Sequence, residues 1–447
     1  MGARSDAGLL NARALQQGGA RPAGGFLIAT GKQATINYNS VRFNYSEEKG
    51  RKKMKKTWTK VVVVALSCMM VFMLAACGGG SGSSDAGEGA AAEAVLLGNT
   101  GPLTGPAAIY GNAVKNGGQL AVDEINAANP DGIQLAWQAE DDEADGEKAV
   151  NAYNKLMDDG MKVFIGSTTS GSCVAASEKA FEDRVFELTP SASQVAVTEG
   201  KDNVFQLCFS DPNQGVAAAD WVVENMADAK VGVIYNNASD YSAGIFDKFK
   251  AEYEAAGKQL VAVEAFSDDA NTDFQAQINS MKNAGADFVF LPIYYTPASN
   301  ILIQADKIGY APTFFGVDGM DGILTLEGFD TSLAEGVMLL TPFIATAEDE
   351  ATQKFVAAYQ EAYGEEPNQF AADAYDCVYA VYKAMNEAGL DASATHEEIC
   401  EALIKVFAGD FTASGVTGAE MQWNEAGEVN KTPNAMVIEN GVYVPVQ

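Results

Sequence analysis

The stretch "VFIGSTTSGSCVAASEKAF", residues 163–181, carries the reading of the fold. An apolar run ends at Gly166, six of the next seven residues are Ser, Thr or Gly, and a helical pattern follows. Strand, hydroxyl-rich loop and helix in that order put free backbone N–H groups and the positive end of a helix dipole where a small anion would sit. The loop has neither the lysine of a P-loop nor the spaced glycines of a dinucleotide site. A nucleotide phosphate is therefore not its target.

Outward from this stretch the same unit recurs. "AVLLGNTGPLTG" reads as a strand leaving into a Gly/Pro loop, and "GNAVKNGGQLAVDEINAAN" as a helix with Val114, Gly117, Ala121 and Ile125 on one face. "IQLAWQAEDD" with "EKAVNAYNKLMDDG" gives a second pair, and "VFELTPSASQ" begins a fourth. After "FSDPNQG" the alternation restarts through "KVGVIYNN", "QLVAVEAF", "ADFVFLPIYY" and "PTFFGVDG", each separated by a helical pattern. Two successive α/β units with parallel-sheet cores follow, with ligands expected beyond the carboxyl ends of the strands and in the cleft between the units. Late amphipathic helices carry Tyr359, Tyr363, Tyr375, Tyr379 and Tyr382, read as core.

Charge and composition narrow the chemistry. The chain has 447 residues, 47% of them hydrophobic and 20% charged. Residues 1–77 hold 12 basic and 3 acidic side chains, leaving 17 basic and 57 acidic in the remainder. So acidic a surface repels nucleic acid and anionic lipid. The single histidine, His396, opens a predicted helix and is read as a solvated first-turn residue, which weighs against histidine-based catalysis or metal binding. "EDDEADGEK" copies the start of a calcium loop at Asp141, Glu143, Asp145 and Gly146, but its twelfth position is Ala152, so it is read as a strand end and helix start. No metal and no cofactor is expected. Cys173, Cys208, Cys377 and Cys400 show no zinc spacing, and disulfides and buried free thiols both remain open.

"MKKTWTKVVVVALSCMMVFMLAACGGGSGSS" begins at Met54 with a basic region, continues with the apolar run Val61–Ala76 and closes on Leu74-Ala75-Ala76-Cys77. Sixteen apolar residues are short for a membrane span. The segment resembles a bacterial lipoprotein signal, which implies cleavage before Cys77, lipidation of Cys77 and anchoring to the outer face of the cell membrane. Residues 54–77 are thus expected to be the signal and 78–94 a flexible tether. Residues 1–53 are expected to be an upstream extension from a misassigned start, with translation beginning at Met54.

Candidate ligand groups stand at the predicted strand ends. Ser167, Thr168, Thr169, Ser170 and Ser172 follow one strand, and Ser191 and Ser193 follow the next; such loops also serve as ordinary caps and turns. In the second unit Tyr294 and Tyr295 are read as ending one strand, and Asp318 follows another. Hydroxyls on one lobe and a carboxylate on the other suit a zwitterion, an α-amino acid.

Over residues 95–447 the stretches "TGPLTGPAAIYGNAVKNGGQLAVDEIN", "VFIGSTTSGSCVAAS", "LTPSAS", "NNASDYSAG", "IYYTPAS" and "FFGVDGM" carry a resemblance to the type I periplasmic solute-binding proteins of the branched-chain amino acid transport family. The resemblance implies two Rossmann-like lobes joined by a three-segment hinge, with lobe 1 at 95–211 and 344–432 and lobe 2 at 212–343 and 433–447. It implies that Ser170 and Ser193 hold the ligand carboxylate, that Asp318 takes the α-ammonium, and that Tyr110, Tyr241, Tyr294 and Phe370 wall the pocket. Thr168 and Thr169 stand where leucine binders often have apolar residues or cysteine, and Asp318 where Glu is commoner. The implied function is the monomeric, lipid-anchored receptor of an ATP-driven importer, delivering an aliphatic amino acid to a membrane permease by hinge closure. A sensory ectodomain, a binder of amides or aromatic acids, and a carboxylate-only enzyme are the alternatives.

Overall fold

The computed structural model describes residues 94–268 and 271–446; the expected upstream extension, signal, Cys77 and nearly all of the tether lie outside the described residues. Five short apolar runs form the first sheet: β1 (Val95–Gly101), β2 (Leu135–Asp141), β3 (Val163–Phe164), β4 (Phe186–Thr189) and β5 (Val204–Gln206). Their order is β2-β1-β3-β4-β5 and every neighbouring pair is parallel. The helices α1 (Ala108–Ala128), α2 (Gly146–Asp158) and α3 (Ser170–Glu182) connect its first strands.

The second sheet repeats the plan. β6 (Val231–Asn236), β7 (Ala262–Phe266), β8 (Phe288–Leu291), β9 (Thr313–Gly316) and β10 (Met338–Thr341) lie parallel in the order β7-β6-β8-β9-β10. Its helices are α4 (Asp211–Asn225), α5 (Asp240–Ala255), α6 (Gln275–Ala284) and α7 (Tyr295–Lys307). In both sheets the strand order reverses beside the first strand, which opens a crevice at the carboxyl ends there. The chain then returns to the first sheet with α8 (Glu350–Tyr363), α9 (Gln369–Glu387) and α10 (His396–Phe407), α9 packing along α1. Gly117 permits that approach: a Cβ there would stand 2.0 Å from the Ala371 carbonyl oxygen.

Two features depart from the uniform alternation. β11 (Asn434–Glu439) and β12 (Val442–Pro445) extend the second sheet antiparallel beyond β10. Asn440 and Gly441 join them with φ of 54° and 75°, a two-residue turn that needs the left-handed region twice. The strand expected to end at Tyr294 and Tyr295 stops at Leu291 instead; Tyr294 caps α7 and Tyr295 is its first residue. On the segment returning to β11, Lys431 is buried, its Nζ 3.1 Å from the Asp373 carboxylate and 2.5 Å from Thr417 Oγ1.

The local sequence explains the remaining acidic and polar clusters. Asp141 accepts from the Leu103 and Thr104 amides and the Thr104 hydroxyl, and Asp145 caps α2 through the Lys148 amide. Thr395 and Glu398 form a capping box around His396, the first residue of α10. Cys173, Cys208, Cys377 and Cys400 are buried free thiols. Among the described residues no helix is long and apolar enough to cross a membrane.

Candidate functional site

The candidate residues sit at strand ends because both sheets point their carboxyl edges into the same cleft. Ser170 opens α3 directly after the β3 loop, with Thr169 as its N-cap. The Ser193 amide donates to Ser170 Oγ at 3.2 Å, which brings the two hydroxyl loops together. Ser191 donates to the Thr168 carbonyl at 2.7 Å, which ties the two loops to each other, and the Thr168 hydroxyl donates to the Thr100 carbonyl at 3.4 Å, which ties the first loop to β1. Thr169 Oγ1 and Ser193 Oγ are buried and have no hydrogen-bond partner. Thr169 Oγ1 and Ser193 Oγ are thus among several unpaired buried hydroxyls, Ser172 Oγ also being one, beside the start of a 13-residue helix on the first lobe.

Asp318 supplies the opposite wall from the loop after β9. It is 3% exposed, and its Oδ1 accepts from the Tyr241 hydroxyl at 2.6 Å and from the Gly319 amide at 2.7 Å. Its own amide donates to Gln214 Oε1 at 3.2 Å. Burial pushes the Asp318 carboxyl up to about 6, against the opposing pull of the hydrogen bonds from Tyr241 and its neighbours. A carboxylate held in this way gains most from a cation placed beside it.

Between these walls runs a continuous row of rings. Phe370 lies 4.2 Å from Tyr110 between centroids, Tyr110 lies 5.2 Å from Tyr294, and Tyr294 lies 5.0 Å from Tyr241. Tyr110 and Phe370 come from α1 and α9, whereas Tyr241 and Tyr294 come from the second unit, so the row crosses the cleft. The Tyr110 hydroxyl donates to the Gly319 carbonyl, the Ile109 amide to the Tyr295 hydroxyl at 3.2 Å, and the Thr296 hydroxyl to the Pro106 carbonyl at 2.8 Å. These bonds hold the lobes in a closed arrangement. A cavity of about 430 Å³ remains at the mouth, lined by Pro106, Thr169 and Gly171 on one side and by Tyr241, Tyr294 and Thr296 on the other. Ser170, Ser193 and Asp318 lie deeper than this opening.

Two residues of the site, Gln214 and Asp211, were not anticipated, and Tyr295 takes a different part from the strand end expected of it. Tyr295 packs its ring 4.8 Å from Tyr110 and bonds across the cleft. Gln214 holds the Asp318 amide. Asp211, the first residue of α4, is 1% exposed with both carboxyl oxygens unpartnered. In the sequence, "SDPNQG" has the form of an ordinary helix start, and only the three-dimensional setting distinguishes Asp211 from a capping residue.

The periplasmic binding protein family model matches residues 94–431. The chain belongs to that family. It is a type I periplasmic binding protein of the branched-chain amino acid transporter group, and thus a substrate-binding protein of an ABC transporter rather than an enzyme. The leucine-, isoleucine-, valine-, threonine- and alanine-binding protein of Pseudomonas aeruginosa is 29% identical over 315 residues, 70% of this chain and 83% of the relative. A branched-chain amino acid transporter substrate-binding protein from Streptococcus pneumoniae, solved in complex with isoleucine, is 31% identical. Its structure superposes with a TM-score of 0.70 over 79% of this chain and all of that one. A solute-binding protein from R. palustris in complex with benzoate shares the fold at 21% identity, with a TM-score of 0.68 over 79% of this chain and 95% of that one. Membership of this family places the chain outside the cytoplasm.

Proposed function

We propose that this binding protein captures a free α-amino acid and delivers it to the permease of its importer. The observation that carries the proposal is the pairing across the cleft: unpaired hydroxyls at the start of α3 on one side and the buried Asp318 carboxyl on the other. The ligand carboxylate is taken by Ser170, Ser193 and Thr169 together with backbone N–H groups, and the α-ammonium by Asp318. Phe370, Tyr110, Tyr294 and Tyr241 enclose the side chain. Thr168 and Ser191 brace the carboxylate loop. The names of the Pseudomonas and Streptococcus relatives support an aliphatic side chain as the first to test. An aromatic acid lacks the ammonium and would leave Asp318 buried without a cation.

On this reading the lobes are 95–211 with 344–432 and 212–343 with 433–447. Ligand meets the first lobe, and hinge closure brings Asp318 and the second-lobe tyrosines onto it. Only stronger binding to the closed form drives that shift. Cys77 carries the lipid that keeps the receptor beside its permease. The test is a thermal-shift screen of the purified protein against the twenty amino acids, simple amides and aromatic acids. A ligand at about 100 times its dissociation constant adds about 2.7 kcal/mol. Stabilisation by a few α-amino acids, lost in Asp318→Asn, supports the proposal; stabilisation only by compounds without an ammonium overturns it.

A further inference from the structure

Asp211 opens α4, yet both its carboxyl oxygens are buried without a hydrogen-bond partner. Its amide donates to the Ser193 carbonyl at 2.8 Å, so the residue is fastened to the second hydroxyl loop. Its carboxyl lies against the Ser193 hydroxyl, but neither group has a hydrogen bond of good geometry. On the other side stands Gly244 of α5, where an added Cβ would come 3.5 Å from Asp211 Oδ2. One turn further along α4, Gln214 holds the Asp318 amide. Asp211 thus sits between the serine at one end of the site and the carboxyl at the other.

The charges around it do not favour an anion. The titratable groups that face it are the Asp318 carboxyl after β9, the Asp240 carboxyl at the start of α5, the Tyr294 phenol and the Cys208 thiol, none of them a cation. The loop from Ser191 to Val197 carries no charged side chain, and neither does the rest of the first two turns of α4. An ionised Asp211 would also take the Ser193 hydrogen, turning the lone pairs of that oxygen towards a ligand carboxylate. A neutral carboxylic acid does the opposite, because it donates.

We propose that Asp211 is a positioning residue for carboxylate recognition: it works as a neutral acid that donates to Ser193 Oγ, so that the Ser193 hydroxyl hydrogen points at the bound carboxylate. The inference rests on the reading of Ser193 given above. Burial pushes the Asp211 carboxyl well above its ordinary value of 3.8, in the same direction. Ionising Asp211 would weaken binding, opposite in sign to the effect of ionising Asp318.

The experiment is calorimetric titration of L-isoleucine into the wild type, Asp211→Asn and Asp211→Ala from about pH 5 to about pH 8, where the charges of the amino acid itself are constant. The carboxamide still donates, so Asp211→Asn is expected to keep the wild-type affinity within about threefold. Asp211→Ala is expected to lose about tenfold throughout, the effect of one hydrogen bond to a charged acceptor. Infrared spectra of the ligand-free protein over the same range supply a readout independent of the ligand: Asp211→Asn should remove a protonated-carboxyl band. Equal losses in Asn and Ala, or an infrared difference showing only carboxylate across the range, would each overturn the inference. An unchanged affinity in Ser193→Ala, or no amino acid binding at all, brings down the parent reading, while the infrared band still decides the state of Asp211.

Discussion

Asp318 is held by Tyr241, Gly319 and Gln214, and that setting makes its charge decisive. An ammonium enclosed in the closed cleft without a carboxylate loses roughly 3–5 kcal/mol, as when one partner of a buried pair is removed. Asp318→Asn is therefore expected to weaken amino acid binding by about 100-fold or more; a loss under about threefold by calorimetry would rule Asp318 out as the ammonium partner. Ser170→Ala is expected to cost at least about tenfold, the lower range for a hydrogen bond to a charged group, read in the same titration. The hydroxyl loops were legible because strand, Ser/Thr cluster and helix follow one another along the chain. Asp318 stood out by following an apolar run. The part Tyr295 plays and the presence of Asp211 were not legible, since Tyr295 meets Tyr110, 185 residues away, and Asp211 meets the Ser193 loop and Asp318 only in the folded chain.

At the scale of elements, the joints between the lobes are the sensitive places. Lys431 and Asp373 form a pair whose side chains are 3% and 1% exposed, on the last segment to cross between the sheets. Lys431→Met would leave the Asp373 carboxyl buried beside an apolar group, and a loss of about 3–5 kcal/mol is expected in urea unfolding. A change below about 1 kcal/mol would mean that the pair is dispensable. Helix–strand alternation was plain in the sequence because a parallel sheet covered on both faces leaves continuous apolar runs. The β11–β12 hairpin escaped that reading, although Asn440-Gly441 is a strong local turn signal between alternating apolar residues. It is a different kind of element at the edge of a sheet whose other strands are parallel. The end of β8 was misplaced for a related reason: Ile293 and both tyrosines continue the apolar run after Leu291, yet the strand has ended there and α7 begins at Tyr295.

For the whole molecule, the fold buries several carboxyls where ionisation is unfavourable. Burial raises Asp142 to about 7 and Asp318 and Asp321 to about 6, from an ordinary 3.8. The folded protein holds these protons more tightly than the unfolded chain does. Each group therefore adds stability below about pH 4 that is lost as pH rises through about 7. The net charge of −31 acts in the same direction through self-repulsion. The ligand-free protein is expected to melt at least about 2 °C lower at pH 8 than at pH 5, and an amino acid that neutralises Asp318 should narrow the gap. A melting temperature that climbs over this interval would contradict the assignment of these groups as net destabilising anions.

The row Phe370–Tyr110–Tyr294–Tyr241 has an optical consequence. Three phenol rings with centroids 5.0 and 5.2 Å apart, fixed in a chiral setting, give the closed protein a near-ultraviolet circular dichroism of its own. Separating the lobes takes Tyr110 and Phe370 away from Tyr294 and Tyr241. The shape of the cleft is thereby written into the spectrum of the unlabelled protein, and the rate at which that signal changes after mixing with an amino acid is the rate of closing itself.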